Sequence, residues 1–240
     1  MPMRVLVVEN YRSTPLGQVG TALREAGAEI DLRPAHLGAT LPEAAAEHDG
    51  LVVLGGEQNA LADADCPWFP GLVRLVRDFG AEDKAVLGIC LGAQLVARAH
   101  GGENLLGRPV EFGWHDVRPT SGGRRDPVIA GLGEGGPIFH WHEDTFSLPP
   151  GAAHLAASDL TENQAFRLGR ATYGIQFHFE ADRPLVAGWT RDFAASIHDH
   201  APDWLERHAT DAARAGAAAD ATGLELARRW VHLVKPAAAR

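Results

Sequence analysis

An α/β fold is predicted for this chain: a mostly parallel central sheet with helices on both faces, an antiparallel extension and a C-terminal helical tail. Three observations predict it. Short apolar, β-branched runs alternate with helical patterns over residues 4–102, glycines or prolines punctuate the joins, and past Leu105 the pattern changes to closely spaced strand-like runs. Strands alternating with helices are the pattern of a parallel sheet wrapped on both sides.

The elements follow in order. RVLVVEN (4–10) is a short buried strand, and Leu16, Val19 and Leu23 trace a helix that Gly27 stops. AEIDLRP (28–34) is a second strand, ended by Pro34, and residues 42–48 are expected to form a short helix. GLVVLGG (50–56) is a buried strand running into a glycine pair. WFPGLVRLVRDFG (68–80) has helical apolar spacing, KAVLGIC (84–90) is the next strand, and LGAQLVARAHGG (91–102) is a helix with a Gly-Gly stop. Segments 109–120, 137–149, 154–160, 163–169 and 171–180 then form a hairpin-rich antiparallel extension. Helices are expected at 184–197, 203–219 and 222–234, with the Ala-rich stretch DAARAGAAADATG (211–223) as a frayed connection. No linker separates these parts, so residues 1–195 are expected to form one domain and residues 196–240 a helical extension packed on it.

With 45% apolar and 22% charged residues, 240 residues suffice to bury a full core. The net charge of −9, with no basic cluster beyond Arg124-Arg125 and Arg228-Arg229, argues against nucleic acid or an anionic membrane as a partner. Cys66 and Cys90 are too few for a disulfide framework or a zinc cage. The N-terminal apolar run is too short for a signal-peptide core, and no stretch approaches the roughly 20 apolar residues that span a bilayer. A cytoplasmic location is expected.

Chemistry is concentrated in three places. In Gly88-Ile89-Cys90-Leu91-Gly92-Ala93-Gln94 a buried strand delivers a cysteine into a turn framed by glycines at −2 and +2, with a helix directly after. This is the nucleophile-elbow pattern with cysteine in place of serine. Side chains at the flanking positions would collide with strand and helix, the positive end of the helix favours a thiolate, and the Leu91 N–H is left to face an oxyanion. A buried, inert core cysteine is the competing reading of this motif alone. In Gly174-Ile175-Gln176-Phe177-His178-Phe179-Glu180, residues i and i+2 of a strand share a face, so Glu180 can orient His178 as acyl transfer from a thiolate requires. Taken alone, these two are more readily a solvated pair at a strand end. Gly55-Gly56, at the end of a buried strand, lets backbone N–H groups face an anion or makes a plain tight turn.

Together GICLGAQ, GIQFHFE and LVVLGG, in their order and spacing, resemble the class I (Cys-His-Glu triad) glutamine amidotransferase family over roughly residues 4–195. HWHEDTFSLPPGA and NQAF place the resemblance in the stand-alone branch similar to the amidotransferase domain of GMP synthase. It implies a flavodoxin-like arrangement, Cys90 as nucleophile, His178 as base and acid, Glu180 as its partner, and backbone oxyanion donors at Gly56 and Leu91. It further implies glutamyl contacts from Gln94 and from the His142-Glu143-Asp144 loop. Two departures stand out: Glu57-Gln58 follow the glycine pair where many relatives have proline, and Phe179 separates His178 from Glu180 where proline is common.

The function so implied is cleavage of a γ-glutamyl amide, glutamine or another γ-glutamyl compound, through a Cys90 thioester. No cofactor and no metal are needed. Alternatives are a γ-glutamyl peptide hydrolase with no acceptor partner, or a non-catalytic redox or chaperone protein of the DJ-1/PfpI type, against which the F-H-x-E motif speaks. The chain carries no P-loop, so acceptor chemistry would lie on a separate synthase protein. The remaining histidines, including His115, His140 and His198/His200, match no metal-binding spacing and are expected at the surface or behind the site. Trp114 and Trp141 are candidates for the substrate mouth, with core packing as the competing assignment.

Overall fold

A computed structural model describes residues 2–107 and 110–235. In chain order the elements are β1 (Arg4–Glu9), α1 (Gly17–Glu25), β2 (Glu29–Pro34), β3 (Gly50–Val53), α2 (Phe69–Ala81), β4 (Ala85–Ile89), α3 (Leu91–Ala99), β5 (Asn104–Leu105), β6 (Glu111–Pro119), β7 (Gly136–His142), β8 (Thr145–Phe146), β9 (Ala153–Ala157), β10 (Ala165–Leu168), β11 (Thr172–Ile175), α4 (Arg183–Asp192), α5 (Ala194–His200), α6 (Trp204–Asp211) and α7 (Ala217–Val231). Among the described residues nine strands form one sheet in the order β2-β1-β3-β4-β11-β10-β9-β6-β7. Pairing is parallel from β2 to β11 and antiparallel from β11 to β7. The predicted parallel sheet with its antiparallel extension is therefore present.

The alternation of side chains along a strand explains the layers. Val5 and Val7 of β1 face α1 and α7, where Val19, Leu23, Leu226 and Trp230 complete one core. Leu6 and Val8 face the other way and pack with Phe69, Leu72 and Phe79 of α2 and Leu95 of α3. Trp230 is fully buried, and its indole N–H donates to the Val86 carbonyl at 3.3 Å. A third cluster, with Phe112, Phe139, Trp189 and Trp204, joins the extension to α4–α6. Between β10 and β11 the fit is tighter. The position a Gly174 side chain would take is filled by the Phe166 ring, and Gly174 pairs in register with Gly88 of β4.

Two expectations are corrected. Residues 42–48 are bends and turns, not a helix. Lys84 Nζ donates to the Ala45 carbonyl at 2.6 Å, and the His48 ring turns to Asp31 at 2.9 Å, so the backbone and side chains of this segment serve tertiary contacts. The Ala-rich stretch is not a frayed connection: α6 runs through a π-turn (Ala212–Gly216) into α7. Its small residues let the helix lie close to the body. The Arg183 stem fills the side-chain position of Gly216, and the Phe179 carbonyl fills that of Gly223. The helix predicted over 184–197 is present as α4 and α5, parted at Phe193.

At the sheet edge, β2 carries an ion-pair cluster rather than an apolar face, which discourages pairing with another strand. Asp31 accepts from Arg33 at 2.7 and 3.0 Å and contacts His48. Arg33 first, with His48, holds the Asp31 carboxyl at about 2 against the opposing effect of partial burial. A depressed carboxylate stabilises the fold above its unfolded value of about 4, and that contribution is lost as pH falls toward 2. Asp31→Asn is therefore expected to flatten the acid branch of a urea-midpoint-against-pH curve between about 4 and 2. An acid branch as steep as that of the wild type would exclude this pair as a source.

Candidate active site

Cys90 stands at the junction of β4 and α3 with φ 53° and ψ −113°, a conformation that side-chain-bearing residues rarely adopt. Neighbouring backbone imposes it. The Cys90 N–H donates to Ile175 O at 2.9 Å, while its carbonyl accepts the Gln94 N–H at 3.1 Å and starts the helix. A side chain on Gly88 would run into the Gly92 carbonyl, and one on Gly92 into the Val53 carbonyl. Both framing glycines are thus required by direct backbone approach. Leu91, the first helical residue, has an N–H with no acceptor inside the helix.

β11 is the parallel neighbour of β4, so the two strands end at the same edge of the sheet. Its strand stops at Ile175, earlier than the sequence suggests. His178 and Glu180 lie beyond it, in a bridge and a turn, where the His178 N–H donates to Phe139 O at 2.8 Å. The two side chains nevertheless meet: Nδ1 of His178 donates to Oε1 of Glu180 at 2.7 Å, and both residues are buried. Burial disfavours the imidazolium, but Glu180 and the Cys90 sulfur, which is hydrogen-bonded to the ring, outweigh it. The imidazole is held well above its ordinary value. Trp189 packs its edge against the ring, with centroids 5.1 Å apart.

Gly55 and Gly56 follow β3, the other neighbour of β4. The side-chain position of Gly55 is bounded by His178 Cε1 at 3.4 Å and Cys90 Cβ at 3.6 Å. That of Gly56 is bounded by Leu91 and the Gln58 amide, which bridges to the Asn10 carbonyl at 2.8 Å. The Glu57-Gln58 departure thus produces a loop tied back to the end of β1. The amide of Gln94 donates to the Asp144 carbonyl at 3.2 Å and to Gln176 Oε1 at 3.3 Å, and His142 Nδ1 donates to that same carbonyl at 3.1 Å. The Cys90 thiol donates to Trp141 O at 3.6 Å. Gly56, Cys90, Leu91, Gln94, His142, Asp144 and His178 all open on one cavity of about 280 Å³. Glu180 is behind His178 and does not line it.

Four aromatic residues, Tyr11, Trp141, Trp189 and Phe193, also line the cavity, as do Ser196 and His200 of α5. Trp114 instead stacks on Trp204 at 5.6 Å, away from the cavity. His140 lies buried behind the site and His142 is buried beside it, and they converge with Glu111 on a group that spacing along the chain did not disclose. Gln164 joins it, its Nε2 donating to Glu111 Oε2 at 2.7 Å. The available signal was the His-x-His alternation of a strand, which sets two rings on one face. The partner on the facing strand depends on register.

Among the described residues no helix is long and apolar enough to cross a membrane. The family sequence model described as "Glutamine amidotransferase class-I" matches residues 6–185. A glutamine amidotransferase-like protein of Salmonella typhimurium, YfeJ, is 33% identical over 191 residues, covering 78% of this chain and 79% of that protein. A subunit of the glutamine-hydrolysing GMP synthase of Methanosarcina barkeri is 32% identical over 184 residues, covering 74% and 87%. Among solved structures, a glutamine amidotransferase from Methylobacillus flagellatus superposes with a TM-score of 0.86 at 26% identity, covering 100% of this chain and 98% of the other.

Proposed function

The chain belongs to the class I glutamine amidotransferase family, and we propose that it cleaves a γ-glutamyl amide bond through a thioester on Cys90. The observation that carries this reading is a strained cysteine at a strand–helix elbow, opening on one cavity with a histidine that a buried carboxylate orients. The Cys90 thiolate attacks the γ-carbonyl. The Leu91 and Gly56 N–H groups stabilise the oxyanion, and imidazolium His178 protonates the leaving amine as the C–N bond breaks. His178, now neutral, takes a proton from water as it adds to the thioester, and collapse releases glutamate and the thiolate. Glu180 keeps the ring oriented and stabilises its charged form throughout. Gln94 and the His142–Asp144 backbone hold the glutamyl group, and the carboxylates of Glu57, Glu143 and Asp144 at the cavity suit its α-ammonium. None of these steps calls on a cofactor.

The leaving amine separates two forms of this reading. A relative named as a synthase subunit supports ammonia passed to a separate acceptor protein. A cavity lined in part by the chain's own α5, through Ser196 and His200, and by Phe193 supports a self-contained γ-glutamyl hydrolase, and we favour that form. The isolated chain is expected to release glutamate from glutamine or a γ-glutamyl dipeptide, with kcat/KM unchanged by a candidate synthase or cell extract. Stimulation of a hundredfold or more, about 2.7 kcal/mol in barrier, would establish the subunit form instead. Absence of release with and without a partner would reject both.

A further inference from the structure

We propose that Glu111, His140 and His142, joined by the side-chain amide oxygen of Gln164, form a buried site for one divalent transition-metal ion of the zinc, cobalt and nickel class. Strand geometry assembles it. His140 and His142 share a face of β7, and Glu111 of β6 is the direct register partner of His142. Gln164 enters from the segment that precedes β10, its N–H donating to Ala156 O at 3.0 Å. All four residues are buried, Glu111 at 1% exposure and His140 and Gln164 at 0%.

Donor and acceptor accounting leaves a gap that a cation fills. His142 Nδ1 faces a carbonyl, Asp144 O, so it must be the protonated nitrogen. In the neutral ring Nε2 then presents a lone pair, and it lies 3.1 Å from Glu111 Oε2, another lone-pair atom. A backbone carbonyl fixing the far nitrogen is the usual support of a metal-binding histidine. His140 Nδ1 stands 3.9 Å from the same carboxylate oxygen and 3.5 Å from the Gln164 amide nitrogen, which is also 3.5 Å from His142 Nε2. The Gln164 oxygen is buried with no partner among the described residues. A half-turn of that amide brings the oxygen into the place of the nitrogen. The donor separations then run from 2.7 Å between Gln164 and Glu111 to 3.9 Å between His140 and Glu111, on either side of the roughly 3.3 Å of a tetrahedral site with bonds of about 2.0–2.1 Å. Two imidazoles with one carboxylate favour zinc-like ions over calcium or magnesium, which take oxygen donors. His142 also borders the cavity, which provides a route of entry. An ion here would stiffen the end of β7, which presents Trp141 O to the Cys90 thiol, and the connection after it, whose Asp144 O accepts from Gln94. The inference is independent of the proposed reaction.

The test uses the full chain with Cys90→Ser, so that the elbow thiol binds nothing, stripped with chelator and titrated with Co²⁺ and Zn²⁺. Calorimetry and the visible spectrum should report one ion per chain with tetrahedral cobalt bands. His140→Phe and Glu111→Gln should weaken binding about a hundredfold or more and abolish those bands. Gln164→Glu places a second carboxylate in the cluster. It should melt at a lower temperature without metal, regain stability with it, and bind more tightly than its parent. Equal affinity of the parent and His140→Phe would overturn the proposal. Failure of metal to restore Gln164→Glu would do so even if the other variants do not fold. A proton on His142 Nε2, paired with Glu111, would then account for the cluster.

Discussion

Cys90→Ala is expected to lose glutamate release by on the order of 10⁴-fold or more while remaining folded, because removal of a nucleophile leaves only binding and oxyanion contacts. The folding side of this expectation is specific to the elbow. Cys90 holds a positive φ that costs a side-chain-bearing residue about 1–3 kcal/mol, and its sulfur has few polar partners, the His178 ring and a long contact of 3.6 Å to Trp141 O. Cys90→Gly should therefore be as inactive as Cys90→Ala and more stable than the wild type by about 1 kcal/mol in urea unfolding. Cys66 is the internal control. It is buried near α2, and burial first, then Asp65 and Asp63, push its thiol upward, so it is a poor nucleophile. Cys66→Ala should leave kcat/KM unchanged. Activity retained by a folded Cys90→Ala protein would remove the thioester from the mechanism.

His178→Ala should lose on the order of 10³-fold in kcat/KM and Glu180→Gln less, because the amide still orients the ring but no longer compensates its charge. The two variants also differ in pH dependence. Burial alone would lower His178, but Glu180 and the Cys90 sulfur outweigh it and raise the ring. Loss of the Glu180 charge lowers it, and the alkaline limb of the kcat/KM profile should move down by about one to three pH units. The stability linkage has the matching sign. A raised histidine contributes fully below its unfolded value of about 6.5, and its contribution is lost as pH rises through the folded value. Glu180→Gln should therefore lose its stability deficit relative to wild type as pH rises. An unshifted alkaline limb would show that the carboxylate does not act through the imidazole.

Much of this was legible in the chain. GICLGAQ announced its elbow because a buried strand, two glycines and a helix start are all local signals. The parallel strands were legible because residues such as Val5 and Leu6, facing opposite cores, leave an unbroken apolar run. What escaped notice depended on contacts across the sheet. Lys84 and Asp31 draw the 42–48 segment out of a helix, and neither lies near it in sequence. The Ala-rich stretch reads as frayed because nothing local shows that the side-chain positions of Gly216 and Gly223 are occupied by Arg183 and the Phe179 carbonyl. His178 and Glu180 meet as an i, i+2 pair would on a strand, although a bridge and a turn deliver them. Glu111 and Gln164 carry no signal of their own, since only the β6–β7 register and the approach to β10 bring them to the histidines.

The fit of the Phe166 ring over Gly174 acts as a steric key for the alignment of the whole site. Sliding β11 by one residue along β4 would displace everything after it by about 3.3 Å and reverse the facing of its side chains. His178 would then leave hydrogen-bonding distance of the sulfur. That slip would also bring Tyr173 or Ile175 beneath the Phe166 ring, where a residue without a side chain is accommodated. The accuracy with which nucleophile and base meet is thus set one strand away, by an aromatic ring on β10.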